Sequence, residues 1–392
     1  MATTTRTAIV MGGGIAGPVA ALALRRAGID ATVHESHPGT ADGVGGALSI
    51  APNGRAALGL VGLTDIGEPM NAIVLQNHRG RTITEIRQPM QFSWRADLYR
   101  RLYDQARHEG ITVHHGHRLV DVIESSTGIR AVFADGSVSE EADILVGADG
   151  LRSTVRRLID PASPQPRYSG QLGFGARVEG ASLPPTGDRM YMAFGRRAFF
   201  GHQSFPDGSG VWFANLPHPY ASWEEVQQTS NEEWLRRLTA AFDGDAVPAL
   251  QLLRLTDPAQ LVTAGPLEDL PHVPHWHRGR MVLVGDAAHA TSPSSGQGAS
   301  LAAESAVELA HALRDLPHPQ AFAAYEHARR SRVERVIAEA ARTNSDKAAG
   351  PVARLLRNAL LPLFARLATP EKRAWQYDHR IDWDAPVAAL TT

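Results

Sequence analysis

The stretch AIVMGGGIAGPVAALAL, residues 8–24, constrains the fold more than any other part of the chain. Ala8 to Met11 are apolar or small and predict a buried parallel strand, and Val19 to Leu24 predict a helix. Between them, Gly12-Gly13-Gly14-Ile15-Ala16-Gly17 has the spacing of a dinucleotide-binding turn. Gly12 permits the tight turn, Gly14 lets main chain approach a pyrophosphate, and Gly17 lets the helix close on the strand. Free N–H groups at that helix start would face the phosphate charge. A second strand, Ala31 to His34, ends in Glu35, where a carboxylate suits the hydroxyls of an adenosine ribose.

Two distant segments have related patterns. DILVGADGLRSTVR (143–156) contains Asp149-Gly150 with Arg152 and Ser153. GRMVLVGDAAHATSPSSGQGASLAAESA (279–306) contains Gly285-Asp286 and the run Pro293 to Gly298. MVLVGD predicts a buried strand ending in a carboxylate, the end at which doubly wound sheets bind ligands. Pro293 to Gly298 then opens a helix whose free N–H groups carry partial positive charge. Asp286 is also the residue type that caps an ordinary strand–helix corner.

The pattern between these segments changes. Residues 1–75 alternate strand and helix, Met90 to His108 reads as a strand entering a helix, and 111–149 supplies short strands. From about 165 to 275 the chain reads as a mainly antiparallel sheet. RMYMAFG, AFFGHQSF and GVWFANL are its strands and DGSG (207–210) a hairpin turn. Long helices follow from about 297 to 368. The expected fold class is α/β, with a discontinuous Rossmann-like nucleotide domain formed by 1–75, 90–165 and 277–350. A mainly antiparallel β-sheet substrate domain, 76–89 and 166–276, is inserted into it, and 351–392 forms a C-terminal helical segment. Alternation along the sheet tract offers Arg177, His202, Phe213 and Asn215 as substrate contacts.

Composition narrows the function classes. Lys plus Arg (39) nearly balance Asp plus Glu (41), which argues against nucleic acid as a partner. The absence of cysteine excludes disulfides, cysteine-ligated metal and a cysteine-linked cofactor. No metal is expected, since HH at 114–115 and HVPHWH at 272–277 lack the spacing and carboxylates of a metal site. Met1 to Arg6 is too short and polar for a signal peptide, and no apolar run of spanning length exists, so the expectation is a cytoplasmic protein off the membrane. LLRNALLPLFARL (355–367) reads as a helix packed over the substrate domain, and RRSRVERV (329–336) as a solvated helix face.

Taken together, the segments at 9–35, 144–156 and 279–304 resemble those of class A flavoprotein monooxygenases. These are the FAD-dependent aromatic hydroxylases related to p-hydroxybenzoate and salicylate hydroxylases, including smaller members such as tetracycline-inactivating enzymes. The resemblance covers nearly the whole chain and implies a GR2-type FAD domain. It implies that Gly12, Gly14, Ile15, Ala16 and Gly17 hold the FAD pyrophosphate and Glu35 the adenosine ribose. Arg95 would face the phosphate and ribityl region, the Val120 main chain the adenine, and Asp286 the ribityl chain. Pro293, Gly296 and Gly298 would lie beside the isoalloxazine ring, and Asp149-Gly150 would serve both FAD and NAD(P)H. The helix start at that loop would stabilise the negative charge of reduced flavin.

The resemblance further implies non-covalent FAD, NADH or NADPH as reductant, and O2 adding at flavin C4a before one oxygen atom passes to an electron-rich aromatic small molecule. A monomer or homodimer is expected, and no catalytic side chain is assigned, because the cofactor carries the reactive atoms. A flavin dehydrogenase without oxygen insertion would share every FAD motif. A halogenase fits less well because WxWxIP is absent, and a non-catalytic nucleotide-binding protein is the remaining reading. GVGGALS (43–49) reads as a mobile region that could gate reduction.

Overall fold

The computed structural model describes residues 5–39, 46–347 and 370–390. Two sheets dominate. The six-stranded sheet runs His277–Arg278, Met281–Leu283, Ile144–Gly147, Thr7–Met11, Asp30–Glu35, Thr112–His115, parallel except at its first pair. Its central strands are buried because helices cover both faces, as the continuous apolar runs of Ile9, Val10 and Ile144 to Val146 require. The Ala16–Arg26 helix and the Gly298–Asp315 helix pack together over it. Leu119–Glu124 and Ile129–Phe133 form a separate two-stranded ribbon.

The eight-stranded sheet runs Val262–Asp269, Arg167–Val178, Gly210–Pro217, Phe199–Ser204, Arg189–Phe194, Glu68–Asn77, Thr82–Trp94, Ala47–Ile50. All its pairs are antiparallel except 189–194 with 68–77. This sheet takes more of the N-terminal half than the sequence pattern had assigned: the span 76–89 captures only part of two strands that extend from Glu68 to Trp94. Residues 47–50 also join it, although they lie within the expected nucleotide tract 1–75. Glu68–Asn77 and Thr82–Trp94 pair with each other as a hairpin, and their outer contacts are the distant ones: 68–77 lies parallel to 189–194, and 82–94 takes 47–50 on its other edge.

One face of the large sheet is sealed. Leu172, Phe174, Phe200, Trp212 and Leu216 pack against the helices Asn231–Phe242 and Ala249–Leu255, which contribute Trp234, Leu238, Phe242 and Leu252. The opposite face holds a smaller apolar cluster of Ala51, Met70, Met90, Phe92, Met190 and Val211. The hairpin turn predicted at 207–210 joins strands 199–204 and 210–217, with Asp207 accepting from the Ser209 N–H at 2.9 Å.

The chain then enters the helices Gly298–Asp315 and His318–Lys347, and a short helix, Pro370–Tyr377, precedes the non-helical residues 378–390. The expected amphipathic segment 355–367 lies outside the described residues, as do residues 43–45 of the expected mobile region 43–49. Residues 46–49 are not loose: the Gly46 carbonyl accepts from the Arg95 N–H, and Ala47–Ile50 is a paired strand. Among the described residues no helix is long and apolar enough to cross a membrane.

Candidate cofactor and substrate site

Three motifs separated in sequence meet at the carboxyl ends of the six-stranded sheet, and glycines make the meeting possible. Gly12 has φ 110°, and a Cβ there would lie 2.3 Å from the Ala148 carbonyl oxygen. A Cβ on Gly17 would lie 1.8 Å from the Gly12 carbonyl oxygen, so the helix can close on the strand only with glycine. A Cβ on Gly285 would reach to 2.7 Å from the Ala16 Cβ. The first motif thus touches the second through Gly12 and the third through Ala16.

The N-terminal turn is fixed from three sides. The Gly12 N–H donates to the His34 carbonyl at 2.8 Å, the Gly13 N–H to Glu35 Oε2 at 2.6 Å, and the Tyr103 hydroxyl to the Gly13 carbonyl at 2.9 Å. Burial and the Glu35 charge push the Tyr103 phenol up to about 12, so it stays protonated and donates. The helix beginning at Ala16 has no side-chain cap and no acidic residue in its first turn. Gly14 and Ile15 are half-exposed at this end, the arrangement a diphosphate needs. Sequence reading missed Gly13 and Tyr103. The signal was present in the helix Arg95–His108, where Arg95, Tyr99 and Tyr103 fall four residues apart on one face.

Glu35 closes the strand beside this turn. Its other oxygen accepts from the His37 N–H at 2.7 Å and the Ser36 hydroxyl at 3.0 Å, which leaves lone pairs for a diol. Next to it the rings of His34, His114 and His117 stack, with His34 Nδ1 and His117 Nδ1 2.9 Å apart. Burial, aided by those two neighbours, lowers the His34 pKa to about 4. Val120 is half-exposed at the extra position of a β-bulge, between the pairs Leu119–Phe133 and Asp121–Val132. The bulge follows His117, whose N–H bonds the Glu35 carbonyl at 2.9 Å.

Asp149 has a local task. Its carboxylate accepts from the Ser153 hydroxyl and the Thr154 and Val155 N–H groups, capping the helix Thr154–Ile159. Arg152 pairs with Glu268 of the large sheet at 2.9 Å. Asp286 is the contrast: it caps nothing, and its carboxylate accepts no hydrogen bond from the described residues. It is open to solvent yet sunk among protein atoms, the signature of a cleft floor. Crowding pushes its pKa up, and the nearby Arg95 charge opposes this. Arg95 is itself held by Tyr99, to whose hydroxyl its Nε donates at 2.7 Å.

Beyond Asp286, Pro293–Ser295 makes a single tight turn, Gly296 takes a left-handed φ of 60°, and the 298–315 helix starts at Gly298. Gln297 between them is buried, and its Oε1 accepts from Asn53 at 3.0 Å. A Cβ on Gly296 would come 3.4 Å from the Met90 Cε, which brings this loop against the apolar face of the large sheet opposite its helices. The residues present therefore fit FAD. A glycine cradle, an uncapped helix start and a carboxylate without a hydrogen-bond partner among the described residues meet at the sheet's carboxyl ends, and a glycine loop follows them in the chain.

The four substrate candidates separate. Phe213 and Asn215 lie on the same face as Val211, with Phe213 packed against the Met90 cluster and directly over Gly201. His202 pairs with Trp212 and turns to the helix-covered face, where burial lowers its pKa to about 4. Arg177 is exposed at the strand end and bonded to Glu179 at 3.1 Å. Alternation within one strand cannot say which face the helices cover; the register between strands does. Asn215 bonds Gln171 at 3.2 Å, and Gln171 bonds the Asn344 carbonyl, whose side chain holds Ser292 and Ser294.

The segment 329–336 corrects the expectation of a solvated face. Arg329 is fully buried and Arg332 nearly so, both bonded to Glu304 of the neighbouring helix. The partner carboxylate is 25 residues or more away in sequence, so the charge run alone could not reveal it.

A family model described as FAD binding domain matches residues 4–340. The FAD-dependent urate hydroxylase of Klebsiella pneumoniae is 31% identical over 349 residues, covering 85% of this chain and 88% of that protein. The aurachin C monooxygenase/isomerase of Stigmatella aurantiaca is 30% identical over 346 residues, covering 85% and 87%. The crystal structure of Klebsiella pneumoniae HpxO complexed with FAD and uric acid superposes with a TM-score of 0.81 at 27% identity, covering 94% of each chain. With the glycine cradle, Asp286 and the 293–298 loop in place, the chain belongs to the class A FAD-dependent hydroxylases.

Proposed function

We infer that this chain is a monooxygenase that uses NAD(P)H and O2 to hydroxylate, or epoxidise, an aromatic or natural-product-like small molecule. The convergence of Gly12–Gly17, Glu35 and Asp286 beside the 293–298 loop, which packs on the large sheet at Met90, carries this reading. Relatives named as urate hydroxylase and aurachin C monooxygenase/isomerase support the reaction class. In balance, substrate, NAD(P)H, a proton and O2 give hydroxylated substrate, NAD(P)+ and water.

Bound FAD supplies the redox chemistry, accepting a hydride from NAD(P)H and activating O2. The chain supplies position. Main-chain N–H groups at Gly14 to Ala16 would take the pyrophosphate, with Gly12 and Gly17 allowing the close approach. Glu35 would accept from the ribose hydroxyls, and Val120 would offer main chain to the adenine. Asp286 and Arg95 would hold the ribityl and phosphate region. Pro293, Gly296 and Gly298 would flank the isoalloxazine ring, with N–H groups of the 298–315 helix start available to negative charge. Asp149 would act indirectly, by keeping the 154–159 helix against this edge. We assign the six-stranded sheet to FAD and the face of the eight-stranded sheet opposite its helices, Phe213 and Asn215 included, to substrate. The cytoplasm is the assigned compartment, where NAD(P)H is supplied.

The test is isotopic. Substrates found by accelerated NAD(P)H oxidation are turned over under oxygen-18 gas. The expected product gains one labelled atom. An unlabelled, oxidised product would make the chain a flavin dehydrogenase, and a protein purified without FAD would overturn the cofactor assignment as well.

A further inference from the structure

The end of the 293–298 loop turns its main chain outward and one side chain inward. Gly296 and Gly298 are half-exposed, while Gln297 between them is fully buried. The Gln297 Oε1 accepts from Asn53 Nδ2 at 3.0 Å, and the same Asn53 amide donates to Glu304 Oε1 at 2.5 Å. Asn53 is buried as well, and its two amide hydrogens meet two acceptors, so its orientation is fixed.

Asn53 can occupy this place because its helix, Pro52–Leu60, lies hard against the start of the 298–315 helix. A Cβ on Gly54 would lie 2.6 Å from the Ser300 Cα, and the Ala51 N–H donates to the Ser300 hydroxyl at 3.0 Å. Glu304 is bound on its other side by Arg329 and Arg332 of the 318–347 helix. Three helices therefore meet at one buried carboxylate, and Asn53 links that junction to the loop. The earlier part of the loop is tied separately, by Asn344 to Ser292 and Ser294. With glycine on both sides of Gln297, the backbone there has little steric restraint of its own. The side-chain bond from Asn53 supplies it.

We propose that Asn53 is a positioning residue that acts through Gln297: it fixes the main chain of Gly296 to Gly298 and so sets the reduction potential of FAD bound beside this loop. This rests on the FAD-hydroxylase reading for the place of the flavin ring. The partial positive charge of the 298–315 helix start favours the negative charge of the reduced ring over the neutral oxidised ring. That preference is short-ranged, falling off within the first turn, so it depends on how closely the loop is held. A loop secured only at Asn344 would present its N–H groups less well aimed.

The test is a redox titration of the FAD-loaded full-length protein against a reference dye, under argon and without substrate. Asn53→Ala is expected to make the potential of bound FAD more negative by about 15–30 mV, a roughly three- to tenfold loss of preference for the reduced form. Gln297→Leu should give the same shift, and the double variant no more than either change alone, because both break one link. Gln297→Leu leaves Asn53 bonded to Glu304 and carries the test should Asn53→Ala not fold. An amide with a structural role alone would lower the melting temperature and leave the potential where it was. An unshifted potential in a folded variant, a shift to more positive values, or additive shifts in the double variant would each overturn the proposal. Neither substrate nor O2 enters this measurement. An unlabelled product in the isotopic test would therefore sink the oxygen-insertion reading alone, and an unshifted potential in a flavin-loaded variant only the role of Asn53.

Discussion

Asp286 shows at residue scale what can and cannot be read before folding. A strand ending in Asp is a common corner, yet here the carboxylate caps nothing and faces a cleft. Asp286→Ala should leave thermal stability unchanged and weaken FAD retention. A charged hydrogen bond of about 1.5–3 kcal/mol corresponds to roughly ten- to hundredfold in affinity. Flavin dissociation followed by fluorescence measures this, and equal retention in both proteins would remove Asp286 from the site. Gly12, Gly17 and Asp286 were legible because their spacing is local and tied to backbone geometry. The facing of His202 was not, since it depends on the register that alternation leaves open, and Tyr103, though spaced with Arg95 and Tyr99 on one helix face, shows its partner Gly13 only once the fold brings together residues 90 apart.

At the scale of elements, the helices Gly298–Asp315 and His318–Lys347 are joined by charge inside the core. Burial alone would raise the Glu304 pKa, but the Arg329 charge and the Arg332 hydrogen bonds hold it at about 2. Glu304 also accepts from Asn53, which in turn bonds Gln297 of the loop beside Gly296. Glu304→Ala leaves two guanidinium groups without their carboxylate and should cost about 3–5 kcal/mol, read from urea unfolding. A loss within about 0.5 kcal/mol, the range of ordinary surface changes, would make the buried pair incidental. The helices were legible from their apolar periodicity, but this charged contact between them was not. Its arginines looked like solvated residues until the neighbouring helix supplied the carboxylate.

The whole molecule carries histidines that fold neutral. Burial lowers His202 to about 4 and His289 to about 3, and burial with neighbouring histidines lowers His34 to about 4. Each would protonate near 6.5 once unfolded, so the unfolded chain binds more protons in the interval between the two values. Their contribution to stability is complete above about pH 6.5 and is lost as pH falls toward 4. Melting temperature should therefore fall by several degrees across that window, and His202→Phe, which removes one of the three, should flatten the slope. A flat profile would mean that these rings are protonated in the folded protein.

The central strand of the six-stranded sheet, Thr7–Met11, pairs with Ile144–Gly147, which in turn pairs with Met281–Leu283. A ribosome releases the glycine turn long before it releases the strand that completes the edge. At translation rates of about 5–20 residues per second, the delay is on the order of tens of seconds. Until then the nascent chain exposes an unfinished apolar edge, and contacts so distant in sequence make closure slow. Cofactor capture is thereby deferred to the end of synthesis, and a chain cut short before Asp286 would be a client for chaperones rather than a partly active enzyme.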